Sequence, residues 1–381
     1  MVEAALKEED ESFADGEADD DDFLDVPGVA WMEHLNLIVG DDRSVAEAFY
    51  IGVLGMTADK SKSFHVNLGR QQFHLATPQK SNDEIPHRIH GSVGLVVPDL
   101  EALWDRLGEA VRDGDDDDNG NGNNRHDFRG TLFDYYRETA EDGDSTVHVR
   151  CPWGNVFRCY SAGARGRDGS APAADSTATA ALSPQKMTNL HARVIGVHGA
   201  DKMGVLGVGQ PGIRYVEFVL PVGVRAEQVR SFYRETLRCP ATVLSATGGG
   251  AKACLVSVGP GVHLVFPEAS TASTGTPTAD DERELYRKMK GIHICIYAHG
   301  FRGLYRRLSE RSLVWTNPRF TRLDSCDTWE DAKRSRTLRF RHIVDVDADA
   351  EPDRGVLMEL EHETRPLRHG QFMKVPHYVP N

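Results

Sequence analysis

The chain has 381 residues, 27% of them charged, and a formal net charge of -14. That length allows about two domains with cores of their own, and the acidic balance excludes a nonspecific nucleic-acid binder, which needs a basic face. There is no apolar leader and no run of roughly 18 apolar residues. Neither a secretory signal nor a membrane partner is expected, and six cysteines without a CxxC pair point to a reduced, cytoplasmic protein.

Residues 1–26 hold the acidic runs Glu8 to Glu11 and Asp19 to Asp22 and read as a disordered tail. Trp31 to Val39 is a strand, and Gly40-Asp41-Asp42 turns it into a helix carrying Val45, Phe49, Tyr50 and Leu54. Strands at 63–68 and 71–76 follow, joined by Gly69-Arg70, so the first unit is βαβββ. Gly91 to Val97 opens a second unit. Leu100, Leu103, Trp104 and Leu107 share one face of its helix, and strands follow near 130–138, 145–151 and 154–160. The Asp/Asn/Gly insert 112–126 is too polar to pack.

An Ala/Gly/Ser/Thr-rich linker, 163–188, separates a first domain, 27–162, from a second, 189–370, with a tail at 371–381. In the second, Ile213 to Leu220 is a strand, and Phe232-Tyr233 with Leu237 repeats the pattern of Phe49-Tyr50 with Leu54. After the strand Gly291 to Tyr297, Phe301, Leu304, Tyr305 and Leu308 each stand 201 positions beyond the helix face of the second unit. Such internal repetition indicates repeated structural units. Near the end, Gly355 to His362 places Glu359 inside an apolar run; a carboxylate there needs a cation, a metal or water.

The unit order, the openings "HLNLIVGD", "GSVGLVVPDL" and "GIHICIYAHG", and the closings "CPWGNVFRCY" and "EPDRGVLMELE" resemble the vicinal oxygen chelate superfamily. That group includes glyoxalase I, bleomycin-resistance proteins, fosfomycin-resistance enzymes and extradiol dioxygenases. The resemblance implies an α+β fold in which four βαβββ units pair, in chain order, into two cupped mixed sheets. First and last strands would line each cup. The first domain then offers His34, His74, Ser92 and Arg158, and the second offers Tyr215, His263, His293 and Glu359.

His263, His293 and Glu359 are the expected ligands of a divalent metal, Fe, Mn, Ni or Zn. Tyr215 or Glu217 would orient groups or transfer protons. His34, His74 and Arg158 would bind substrate, with Arg158 holding an anion where a family enzyme carries a ligating Glu. His342 would stand in for a second-sphere histidine. The function implied is glyoxalase-like isomerase or lyase chemistry, or oxygenation, on a small oxygen-bearing molecule by a monomer or homodimer. The alternative is a nonenzymatic protein of the bleomycin-resistance type that sequesters a small molecule without metal. Simpler roles stand beside these: Glu359 paired to Arg339 or Arg341, Cys295 as a buried apolar residue, and Glu361-His362-Glu363 with His369 as a solvated end. Gly207-Val208-Gly209 lacks the Lys-Ser or Lys-Thr of a phosphate loop.

Overall fold

The computed structural model describes residues 28–59, 64–79, 84–111, 128–139, 145–161, 211–245, 252–259, 261–269, 279–321, 324–348 and 355–375. The acidic tail, the 112–126 insert, the linker and the 207–209 loop lie outside the described residues. The first unit comprises β1 (Val29–Ile38), α1 (Arg43–Glu47) running into a π-helical turn (Ala48–Val53), β2 (Thr57–Ala58), β3 (His65–Leu68) and β4 (Gln71–Ala76). The second comprises β5 (Ser92–Val97), α2 (Leu100–Val111), β6 (Asp134–Thr139), β7 (Ser145–Arg150) and β8 (Val156–Ser161).

The third comprises β9 (Gly212–Glu217), α3 (Ala226–Phe232) with a π-helical turn (Tyr233–Leu237), β10 (Ala241–Ser245), β11 (Lys252–Gly259) and β12 (Val262–Pro267). After α4 (Ala279–Met289), the fourth has β13 (His293–Ala298), α5 (Phe301–Glu310), a 3-10 turn (Pro318–Phe320), α6 (Trp329–Ser335), β14 (Leu338–Val344) and β15 (Val356–Pro366). Three units are therefore βαβββ as expected. In the fourth, an irregular excursion between α5 and β14 stands where the others place their second strand.

Two mixed sheets result. The seven-stranded sheet runs β14-β15-β13-β1-β4-β3-β2 and the eight-stranded sheet runs β10-β11-β12-β9-β5-β8-β7-β6. Each joins two units through their first strands, antiparallel to each other, and each first strand also takes its own unit's last strand in parallel. The paired-unit architecture is the expected one, but the partners are not consecutive: the first unit pairs with the fourth, and the second with the third. Chain order does not forbid this. The connection 77–91 can span about 50 Å when extended, enough to leave one sheet and start the other.

The core lies where the helices cover the sheets. Leu100, Leu103 and Leu107 are buried on α2, as are Phe301, Leu304, Tyr305 and Leu308 on α5, which verifies the repeated helix face. Phe49-Tyr50 and Phe232-Tyr233 both sit at the widened π-helical turns, as edge-to-face pairs with centroids 5.1 and 5.4 Å apart. Trp31 and Gly259 bring β1 against β11. A Cβ on Gly259, at φ 148°, would lie 2.9 Å from the indole. All six cysteines are free and buried, and no helix among the described residues is long and apolar enough to cross a membrane.

Candidate metal centre

Strand alternation puts His34 and Asn36 of β1 on the cup face of the seven-stranded sheet. Asn36 stands opposite both His74 on β4 and His293 on β13. On β15, Glu361 and Glu363 face the same way, opposite His293 and Cys295 respectively. Three ligating groups meet here: ligand atoms of His34, His293 and Glu363 lie within 4.8 Å of one another. Glu363 Oε2 is 3.8 Å from His34 Nε2 and 3.6 Å from His293 Nε2. Donors about 2.1 Å from one ion stand roughly 3–3.4 Å apart, so the two distances to Glu363 exceed that range by only a few tenths of an ångström.

The hydrogen bonds fix which nitrogens are available. His34 Nδ1 is 3.2 Å from Glu33 Oε2; with the Nδ1 proton donated to that carboxylate, Nε2 is the ring nitrogen left to ligate. That buried nitrogen has no hydrogen-bond partner. Burial, with Arg339 next, holds the His293 pKa well below the ordinary value and keeps the ring neutral. His74 stacks between His34 and His65, with centroids 3.6 Å from each. Gln72 Nε2 donates to Asp59 (2.8 Å) and Asn67 (2.7 Å), so its carbonyl end receives the His74 Nε2 proton at 3.0 Å. In neutral His74 the lone pair is then on Nδ1. Burial and the neighbouring His34 and His65 favour that neutral state.

A buried chain of charge surrounds the three groups. Arg365 contacts Glu33 at 3.2 Å and Glu363 at 2.5 Å; Arg339 contacts Glu363, Glu361 and Asp324, each at 2.7 Å. Burial opposes ionisation of Glu363, but Arg339 and Arg365 outweigh it and hold the carboxyl well below its usual range. Burial likewise works against Glu33, and the His34 and Arg365 contacts overcome it. At Glu361 burial prevails and the pKa rises. Four carboxylates against two guanidiniums leave a formal charge of -2, which a divalent cation would balance. A neutral His293, an ionised Glu363 and the orphaned Nε2 of His34 fit such an ion.

The excursion after α5 covers this end of the cup. Asn317 donates to both Glu361 oxygens at 3.0 Å, and the Arg339 guanidinium lies 4.7 Å from the Phe320 ring centroid. A cleft of about 1230 Å³ opens beside the centre. Across it Arg319, on the excursion, meets Glu84 at 3.0 Å.

Only part of the expected site assembles. His34, His74 and His293 come together, but His263, Tyr215, Glu217 and Arg158 belong to the eight-stranded sheet. Glu359 is exposed at the outer end of β15, and the carboxylate that reaches the histidines is Glu363. Equal spacing from His293 to Glu359 and from Ser92 to Arg158 misassigned it. By register, Arg158 lies opposite Gly94 and Glu363 opposite Cys295, and Gly94 and Cys295 are themselves 201 apart. The connection before β15 is therefore longer than its counterpart before β8, and counting residues stops four short.

Glu359 makes no ion pair with Arg339, which is committed to Glu361, Glu363 and Asp324. His342 stands opposite Glu359 and is not among the residues lining the cleft. Glu361, His362 and Glu363 are buried, so this is no solvated end. Cys295 is also buried, and burial pushes its thiol pKa well up, in keeping with a structural role. Glu33, Asn317, Asp324 and Arg365 were not foreseen. The one signal in the sequence is the alternation of Glu361, Glu363 and Arg365 on a single face of the final strand.

In the eight-stranded sheet the equivalent positions hold other chemistry. Tyr215 occupies the place of His34, Ser92 that of His293, Arg158 that of Glu363 and Val265 that of His74. His263 is the counterpart of Gln72, beside Tyr215. The Tyr215 ring lies over Gly94, where a Cβ would come within 2.1 Å of it, and its hydroxyl is 3.3 Å from that of Tyr160. With Ala253, Leu255 and Val265 it forms an apolar cluster. Ser92 Oγ donates to Glu217 at 3.4 Å, and burial raises the Glu217 pKa.

No family model matches the sequence, and no curated protein matches it. Among solved structures, glyoxalase I from Zea mays is similar over 88% of this chain and 92% of its own, with 10% identity and a TM-score of 0.45. A member of the glyoxalase/bleomycin resistance protein/dioxygenase superfamily from Sphaerobacter thermophilus DSM 20745 is similar over 35% of this chain and 98% of its own, with 21% identity and a TM-score of 0.23. At these scores the likeness identifies neither a metal nor a substrate.

Proposed function

We propose that the chain is a divalent-metal-dependent enzyme whose centre lies in the seven-stranded sheet and whose substrate is a small oxygen-bearing organic molecule. The observation that carries this reading is the buried His34 Nε2, without a hydrogen-bond partner, directed toward His293 and Glu363. His34, His293 and Glu363 would hold the ion. When bound, it would supply a Lewis acid for substrate oxygens, the requirement shared by isomerase, lyase and oxygenase chemistry. Glu33 orients His34 through Nδ1, and Arg339 and Arg365 keep Glu363 ionised and aimed. His74, with its proton anchored on Nε2, presents Nδ1 as the base for a substrate proton. Phe320 lines the cleft and lies over the Arg339 guanidinium that holds Glu363.

A second reading has its own support: Glu363 already meets Arg339 at 2.7 Å and Arg365 at 2.5 Å. A centre closed by its own cations would suit a metal-free binder. Metal content of untagged protein, measured by inductively coupled plasma mass spectrometry after reloading with Fe, Mn, Ni or Zn, separates the two. Stoichiometric metal lost in His34→Ala, His293→Ala and Glu363→Gln is expected. A wild-type chain that stays empty with every ion would overturn the metal reading.

A further inference from the structure

Six cationic side chains line the cleft: Arg287, Lys290, Arg319, Arg339, Arg341 and Arg365. Four are committed to carboxylates. Arg287 holds Glu284, Arg319 holds Glu84, and Arg339 and Arg365 hold the buried acids of the centre. Lys290 and Arg341 form no ion pair among the described residues. Glu359 lines the same cleft and pairs with neither.

The Arg341 guanidinium and the Lys290 backbone are each held by contacts that leave the charge without a carboxylate partner among the described residues. Arg341 lies on β14, two residues beyond Arg339 and at an irregularity in its pairing with β15. Its guanidinium rests 5.1 Å from the Trp315 ring centroid, a cation–π contact that leaves its N–H donors available. Lys290 follows α4, where its amide donates to the Tyr286 carbonyl at 3.0 Å and His87 bonds its backbone. A planar fork and a second positive charge in one cleft suit a carboxylate, which takes two parallel hydrogen bonds from arginine.

We propose that Arg341 and Lys290, which line one cleft, bind an anion there, and that the ligand of this protein is a small organic carboxylate. The proposal deepens the reading of the metal centre and rests on it for what the ligand's remaining oxygens do. Recognition of the anion itself needs no metal.

Isothermal titration with succinate and with uncharged succinamide tests this on the full chain, both metal-loaded and chelator-treated. Succinate should bind about tenfold or more tightly than succinamide. Arg341→Gln should remove most of that preference and Lys290→Gln about threefold of it, while Arg341→Lys should keep part. Thermal melts establish that the variants fold. Lys290 is exposed, so its variant, with the wild-type ratio, decides the matter if Arg341→Gln does not fold. Equal binding of the two probes, or an unchanged ratio in both variants, would overturn the proposal. A chain that binds no metal but prefers succinate loses the metal reading and keeps this one; a metal-loaded chain indifferent to charge does the reverse.

Discussion

The two sheets share a strand plan and differ at every position that matters for chemistry. Where the seven-stranded sheet sets His34, His74, His293 and Glu363, the eight-stranded sheet sets Tyr215, Val265, Ser92 and Arg158. The first set is surrounded by buried charge, the second by an apolar cluster and a tyrosine packed on Gly94. A scaffold of paired units fixes where side chains converge and leaves open what they are. Here the ligating types have collected in the pair of the first and fourth units, and the pair of the second and third carries Tyr215, packed over Gly94, in the place of His34.

The sharpest way to break that comparison is to assay metal in variants of both sheets. His293→Ala and Glu363→Gln should lower affinity about a hundredfold or more, whereas Tyr215→Phe, His263→Gln and Arg158→Met should leave it unchanged. Loss of metal in an eight-stranded-sheet variant would move the centre. Next in size is Arg339→Met, which strands Glu361, Glu363 and Asp324 and should cost about 3–5 kcal/mol in urea denaturation. Arg158→Met should cost no more than about 1 kcal/mol, because Arg158 is only partly buried and makes no ion pair among the described residues. Similar losses in both would deny the seven-stranded sheet its electrostatic distinction.

Acid should act through the join between the first and fourth units. His87 accepts the Ile38 N–H at Nδ1 (3.0 Å) and bonds the Lys290 backbone, an arrangement that needs the neutral ring. Burial lowers its pKa to about 4, and burial holds His362, which receives the Tyr233 hydroxyl at 2.8 Å, to about 3. The unfolded chain takes up those protons near pH 6.5. Stability should therefore be complete above about 6.5 and fall as pH drops toward 4, with His87 alone contributing on the order of 3 kcal/mol. Melting temperatures that stay level between pH 7 and 4.5 would contradict this. The smallest effect belongs to Glu359→Gln: metal content unchanged and stability within about 0.5 kcal/mol, against a large loss if Glu359 were the ligand.

The sequence by itself determined the units. Apolar period, the turn at Gly69-Arg70, the aromatic pairs and the interval of 201 are local or repeated patterns, and each rests on burial that a strand or helix face must satisfy wherever it goes. It also determined that His34, His74 and His293 belong on cup-facing strand positions. The tertiary structure alone decided which first strands become neighbours, because a strand edge accepts any antiparallel partner that reaches it and the connections are long enough for more than one. That choice separated His263 and Tyr215 from His293. It also set the register of β15 on β13, and since side chains alternate every residue and a four-residue slip keeps the same face, Glu359 and Glu363 were indistinguishable by pattern. Only the hydrogen-bonded register places Glu363 beside the histidines and Glu359 at the rim.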